Sequence, residues 1–267
     1  MKTETLINAM ILTFYNRISA FISRFFLLII IILPASAFSA NALHLAVASN
    51  FIAPIKQIAL DFEQETGTPI QLSFGSSGKL YAQIIHHAPY DIFLSADTLK
   101  PQALIESRHA LPDSLVTYAK GKLALWSVDP FNATSLEKVL LEATRIAIAN
   151  PKLAPYGKAA RESMDNLFLW NQVKSKVVQG ENIGQTYQFV YSQNAEVGFV
   201  AYSQVLSGKL KGHALAVPDN LHKDIEQSGV ILSRSQNIQL AQEFMAFLMR
   251  PDTQAKITSF GYTSALD

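Results

Sequence analysis

From Leu43 onward, short apolar runs alternate with segments in which apolar residues recur three and four positions apart. The runs predict strands at Leu43–Ala48, Pro69–Phe74, Asp91–Ser95, Arg145–Ala149, Lys176–Gln179 and Val197–Ala201, and over Leu115–Trp126 with a break at Lys120-Gly121. The helical spacing predicts helices at Pro54–Glu65, Ser77–His87, Thr98–Ser107, Ser135–Ala143, Gly157–Leu169 and Ile183–Tyr191. Ser235 to Gly261 reads as two helices parted at Arg250-Pro251, because proline ends one helix and is tolerated at the start of the next. Strands alternating with helices define an α/β fold of mainly parallel sheets with helices on both faces. No repeat, low-complexity tract or long polar linker interrupts it.

The N-terminus follows a different pattern. Lys2, Arg17 and Arg24 precede an unbroken apolar run, Phe25 to Leu33, which leads into Pro34-Ala35-Ser36-Ala37. A basic stretch, a short apolar core and a small-residue site in that order predict a secretory signal peptide over residues 1–37, cleaved after Ala37, with Ala42 as a second choice. An uncleaved anchor is the alternative, although the run falls short of the ~20 residues that span a bilayer. Without residues 1–37, 19 Lys and Arg face 20 Asp and Glu, a net charge of −1 that suggests neither nucleic acid nor an anionic membrane as partner. The chain has no cysteine, which excludes both disulfides and a lipid-bearing cysteine at the cleavage site. The remaining 230 residues suit one large domain or two lobes.

Small polar residues fall where strands give way to helices. Ser49-Asn50 follow the first strand, and Gly75-Ser76-Ser77-Gly78 the second; later in the chain, Pro155-Tyr156-Gly157 and Glu181-Asn182-Ile183-Gly184 take the equivalent position. In open parallel sheets ligands bind beyond the carboxyl ends of the strands, where helix N-termini present unpaired N–H groups and a positive dipole end. Four such turns, two from each half of the chain, can converge on one small anion.

At these residues the chain resembles the periplasmic molybdate-binding proteins of ABC transporters, a branch of the two-lobed (type II) periplasmic binding proteins. The resemblance spans the mature chain through Ala46-Val47-Ala48-Ser49-Asn50-Phe51, Phe74-Gly75-Ser76-Ser77-Gly78-Lys79-Leu80, Asp91-Ile92-Phe93-Leu94-Ser95-Ala96-Asp97, Tyr118-Ala119-Lys120-Gly121-Lys122-Leu123, Ala149-Asn150-Pro151-Lys152-Leu153-Ala154-Pro155-Tyr156-Gly157, Gly198-Phe199-Val200-Ala201 and Phe260-Gly261-Tyr262. It implies a periplasmic monomer, not an enzyme and without cofactor, that binds molybdate or tungstate as the oxyanion and passes it to a membrane permease with a cytoplasmic ATPase. It implies one lobe over about 43–118 and 222–267, a second over 119–221, and the ligand between them. The ligand-binding positions it implies are Ser49, Asn50, Ser76, Ser77, Tyr156 and Ile183, all neutral donors, with Ser49 and Ser77 giving hydroxyl and backbone N–H bonds and Tyr156 and Ile183 acting mainly through the backbone. One branch adds a tyrosine hydroxyl; its counterpart, Tyr202, is displaced here by the interposed Ala201. Molybdate and tungstate are too alike for the sequence to separate, and another tetrahedral oxyanion such as sulfate is the alternative ligand.

Rival readings attach to the same residues. Ser, Asn and Gly at turns cap helices in most proteins, whatever else they do. Ser76-Ser77-Gly78-Lys79 satisfies the S-x-x-K pattern of serine acyl-transfer enzymes, with Ser76 as nucleophile and Lys79 as its base, but the companion K-T-G is missing. His86-His87 are adjacent and so diverge on a helix, which argues for surface residues over metal ligands. Asp91 and Asp97 flank one strand and are expected to hold the turns that follow it. Lys79 is expected to be solvated near the rim of the site.

Overall fold

A computed structural model of the protein describes residues 42–266 and, within the N-terminal stretch, positions 7, 10, 13, 14 and 17. Those five positions apart, the predicted leader and its cleavage site lie outside the described residues. Among the described residues, no helix is long and apolar enough to cross a membrane.

Two sheets organise residues 42–266, which form one compact unit. The chain runs β1 (Leu43–Ala48), a 3-10 turn (Ser49–Phe51), α1 (Ile52–Thr66), β2 (Ile70–Gly75), α2 (Ser77–Ile85), β3 (Ile92–Ser95), α3 (Leu99–Glu106) and β4 (Val116–Gly121). It continues through β5 (Leu123–Ser127), α4 (Leu136–Glu142), β6 (Ile146–Ala149), α5 (Pro155–Asn166), α6 (Trp170–Val173), β7 (Val177–Gly180), α7 (Ile183–Tyr191), β8 (Val197–Ala201), α8 (Tyr202–Ser207) and β9 (His213–Ala216). It closes with β10 (Ile225–Ile231), α9 (Ile238–Leu248), α10 (Pro251–Ser259) and β11 (Thr263–Ser264). The first sheet has the order β11-β4-β10-β3-β1-β2 and the second β7-β6-β8-β5-β9.

In both sheets strands that share a direction predominate, and each takes in an antiparallel strand where the chain changes sheets. β1 pairs in parallel with β2 and β3, whereas β10 lies antiparallel between β3 and β4. β6 pairs in parallel with β7 and β8, whereas β5 runs antiparallel to β8 and β9. The chain thus leaves the first sheet between Gly121 and Leu123 and returns between Ala216 and Ile225.

Both faces of each sheet are covered, which is why the strands read as continuous apolar runs. Leu43, Leu45 and Val47 of β1 pack with Ile55, Ile58 and Phe62 of α1 and with Phe244 and Leu248 of α9. Ala46, on the opposite face, meets Leu80 and Ile84 of α2 and Leu104 of α3. In the second sheet, Leu123, Leu125, Ile146 and Ile148 face α4 and α5, while Ala124, Trp126 and Ala147 face Tyr187 and Val190 of α7. Each fully buried side chain of this size is worth about 1.5–3 kcal/mol. α1 ends where Gly67 adopts φ 71° and returns its N–H to the Glu63 carbonyl, a left-handed stop that glycine takes without strain.

The predicted strands from Leu43 to Ala201 are present within one or two residues. The predicted Gly157–Leu169 helix begins earlier, at Pro155, and ends at Asn166, with Phe168 beyond it at φ 57°. β10 was not anticipated: Gln227 and Ser228 sit fully buried in its centre, and their polarity breaks the apolar run. β9, β11, α6 and α8 also went unpredicted, being short or exposed.

Candidate functional site

The four turns singled out in the sequence meet at one place. Ala48, Ser49, Asn50, Gly75, Ser76, Ser77 and Ala96 from the first-sheet half, and Ala154, Pro155, Tyr156, Asn182 and Ile183 from the second, line a single cavity of about 10 Å³. That is roughly the room one water needs. Of the six expected ligand positions none is more than 5 % exposed, so hydrogen bonds made here are made away from bulk water.

Three of the turns open a helix at the cavity: α2, α5 and α7. Ser76 caps α2 by accepting the Lys79 N–H at 3.4 Å, and Asn182 caps α7 by accepting the Gln185 N–H at 3.0 Å. The Gln185 side chain accepts the Glu181 N–H at 2.7 Å, tying the residue before the cap to the first turn of α7. α5 opens on Pro155, whose missing N–H leaves Tyr156 as the first donor of that helix. The opening N–H groups of a helix have no partner inside it, so those of Ser77, Tyr156 and Ile183 are disposed toward the cavity with the positive ends of three helix dipoles.

The hydroxyls differ in what they can still give. Ser77 Oγ accepts the Ala96 N–H at 3.0 Å, which leaves its own proton for the cavity. Ser49 Oγ donates to the Gly75 carbonyl at 2.9 Å, so in this arrangement Ser49 offers its backbone and not its hydroxyl. Asn50 lines the cavity, yet its carboxamide donates outward to Gln227 Oε1 at 2.7 Å and Tyr262 Oη at 3.0 Å.

Behind Asn50 lies a buried polar cluster. Tyr262 Oη donates to the Asn50 carbonyl at 2.8 Å, and Ser203 Oγ donates to the same carbonyl at 3.0 Å, joining α8 to the turn after β1. The Tyr156 hydroxyl is buried beside Tyr262 and Asn50 without a well-formed hydrogen bond among the described residues, and next to Gly121, where a Cβ would collide with it. Burial pushes Tyr262 up to about 12 and holds Tyr118 and Tyr156 well above the ordinary tyrosine range.

Lys79 stands at the rim, about half exposed as expected, but it is not merely solvated: its Nζ lies 2.6 Å from Glu181 Oε1 on the opposite half. The S-x-x-K pair is therefore not assembled as nucleophile and base, since Ser76 receives the Lys79 backbone and the Lys79 amine is held by Glu181. Tyr202 does not line the cavity; it opens α8, and its ring packs against Gly261. His86 ends α2, and His87, at φ 66°, stacks on His109 with 5.9 Å between ring centres. Asp91 accepts from Ser235 and from the His44 N–H, and Asp97 from the Lys100 N–H, so both hold turns. Ala48, Gly75, Ala154, Pro155 and Asn182 also line the cavity from these four turns, and Ala96 lines it from a fifth, the turn after β3.

Beside this cavity a cleft of about 500 Å³ opens between the halves, sharing Ala96, Ala154 and Pro155. Lys100, Lys152, Lys158 and Lys223 line it together with Asp97, Glu162, Asp224 and Glu226, so its charges balance.

Two α/β halves, linked by two crossings and presenting neutral donors to a cavity between them, define a two-lobed binding protein. The chain belongs to the bacterial extracellular solute-binding proteins, a family that matches it over residues 43–263. It is 42 % identical over 233 residues to the molybdate-binding protein ModA of Rhodobacter capsulatus, covering 87 % of this chain and 91 % of that one. It is likewise 42 % identical over 232 residues to the ModA of Azotobacter vinelandii, covering 85 % and 92 %. The solved structure of the Azotobacter vinelandii periplasmic molybdate-binding protein superposes with a TM-score of 0.79 at 36 % identity, covering 83 % of this chain and 98 % of that one.

Proposed function

We propose that this protein captures molybdate, or the closely similar tungstate, in the periplasm after removal of its leader, and delivers it as a monomer to the permease of an ABC importer. The carrying observation is the donor set: serine hydroxyls and helix N-terminal N–H groups from both lobes converge on one small cavity that no side-chain cation lines. Such a shell suits a fully ionised dianion, whose charge is spread over four acceptor oxygens. The relatives named above carry molybdate in their names, and they are binding proteins, which agrees with a role in capture and not in catalysis.

In this reading Ser77 and Ser76 give hydroxyl protons, and Ser49, Asn50, Tyr156 and Ile183 give backbone N–H groups. The lobes divide near the crossings at 119–122 and 217–224, and these serve as the hinge. A tetrahedral oxyanion exceeds one water in size, so its admission requires the lobes to part and close again.

Calorimetric titration of the mature protein with molybdate, tungstate, sulfate and phosphate tests the proposal. Molybdate and tungstate should bind tightly and alike. Sulfate, equally charged but smaller, should bind at least tenfold more weakly, a difference of about 1.4 kcal/mol. Hydrogen phosphate, whose proton would find no carboxylate among the residues lining the cavity, should bind hardly at all near neutral pH. Sulfate binding as tightly as molybdate would overturn the assignment of the ligand.

A further inference from the structure

The turn that offers Ser76 and Ser77 to the cavity also carries a direct backbone hydrogen bond between the lobes. The Gly78 N–H donates to the Leu153 carbonyl at 2.8 Å, across the cleft. A Cβ at Gly78 would stand 3.0 Å from both Cα and O of Leu153 and 3.2 Å from its Cδ2, so the neighbour would have to give by a few tenths of an ångström. Leu153 cannot easily give alone. Its turn is tied by three bonds to Asn150: the Leu153 and Ala154 N–H groups reach the Asn150 carbonyl at 3.0 and 2.8 Å, and the Lys152 N–H reaches its side-chain oxygen at 3.0 Å. On the other side Gly78 belongs to the first turn of α2, fixed by the Ser76 cap. With both partners held, a displacement passes to the lobes as a whole.

We propose that Gly78 is a positioning residue for the anion site: as the stop against which the lobes close, it sets the distance between the donors of the two halves. Ser77 precedes Gly78 and Ala154 follows Leu153, and both neighbours line the cavity, so any widening at the stop is felt directly by the anion's hydrogen bonds. The ion pair one residue on, Lys79 with Glu181, also bridges the mouth, but its side chains are 51 % and 43 % exposed. An exposed pair of this kind is worth at most about fivefold in affinity. Backbone contact therefore governs the spacing, and the ion pair only assists it.

This inference rests on the proposed oxyanion function, and the test separates the two. Wild type, Gly78→Ala and Lys79→Met are each titrated with molybdate, and their thermal unfolding is followed without anion. Gly78→Ala should weaken molybdate binding at least tenfold, while its anion-free unfolding midpoint stays the same or rises, because alanine favours a helix over glycine. Lys79→Met should change affinity by about fivefold or less. Wild type failing to bind molybdate overturns the function and the inference with it. Wild type binding while Gly78→Ala binds within twofold of it overturns the inference alone, as does a drop in the anion-free midpoint that accompanies the loss of affinity.

Discussion

Ser77→Ala probes both roles of one hydroxyl. Ser77 is 1 % exposed, its Oγ accepts the Ala96 N–H at 3.0 Å, and its proton is left free to face the cavity, where the proposed anion would sit. Removing a hydrogen bond to a charged partner costs about 1.5–3 kcal/mol, so the dissociation constant for molybdate should rise about 10- to 150-fold. The same change leaves the Ala96 N–H buried and unpaired, at about 1–3 kcal/mol of fold stability. For a chain of this size each of those kcal/mol lowers the unfolding midpoint by about 2–4 °C. Calorimetric titration reads the first effect, and thermal unfolding without anion reads the second. An unchanged dissociation constant would remove Ser77 from the site even if the midpoint fell, and an unchanged midpoint would show that Ala96 had found another acceptor.

Raising the pH should unfold the protein in a window set by its buried tyrosines. Tyr118, Tyr156 and Tyr262 hold their protons more tightly folded than unfolded, so their contribution is intact below about pH 10 and is lost as pH climbs through about 12, where Tyr262 titrates. Tyr262 alone accounts for about 3 kcal/mol, and denaturant midpoints that stayed flat between pH 9 and 12 would contradict this. Tyr156→Phe removes a buried hydroxyl that lies beside Tyr262 and Asn50 but makes no well-formed hydrogen bond, so affinity should stay within twofold and stability within about 1 kcal/mol. Gly121→Ala drives a Cβ into that hydroxyl and should destabilise by about 1–3 kcal/mol, part of which Tyr156→Phe restores; equal losses in the single and double variants would refute the collision. Solution scattering should report a smaller radius of gyration with saturating molybdate than without, and identical curves would count against lobe closure.

The sequence carries the strands of both sheets where burial on two faces makes them apolar, as in β6, in β1 but for His44, and in β3 but for Ser95. It carries the four turns because Ser, Asn, Pro and Gly recur at strand-to-helix junctions in both halves of the chain, where they cap helices and leave helix N–H groups open. It does not carry β10, whose buried Gln227 and Ser228 answer partners far away in the chain: Gln227 accepts from Asn50, and Ser228 bonds with Thr98 and Thr117. Nor does it say which way a hydroxyl or carboxamide points. Ser49 turns to Gly75 and Asn50 to Tyr262 because of neighbours brought in by the fold, and Tyr202 is drawn to Gly261 for the same reason. Residue type located the site; tertiary neighbours decide what each side chain does there.

The place of β10 also orders the assembly of the chain. Its seat between β3 and β4 stays vacant until residues 225–231 have been made, about a hundred positions after β4, whereas every strand of the second sheet falls in the single stretch from Leu123 to Ala216. The second sheet can therefore form from near neighbours. The first must hold a gap open and pay the entropy of a long loop closure before its middle is filled. Ser49 and Ser77, made early, gain a firm footing only when the last quarter of the chain arrives, so a truncation that spared every anion donor but removed β10 would leave the second lobe folded and the site without one of its walls.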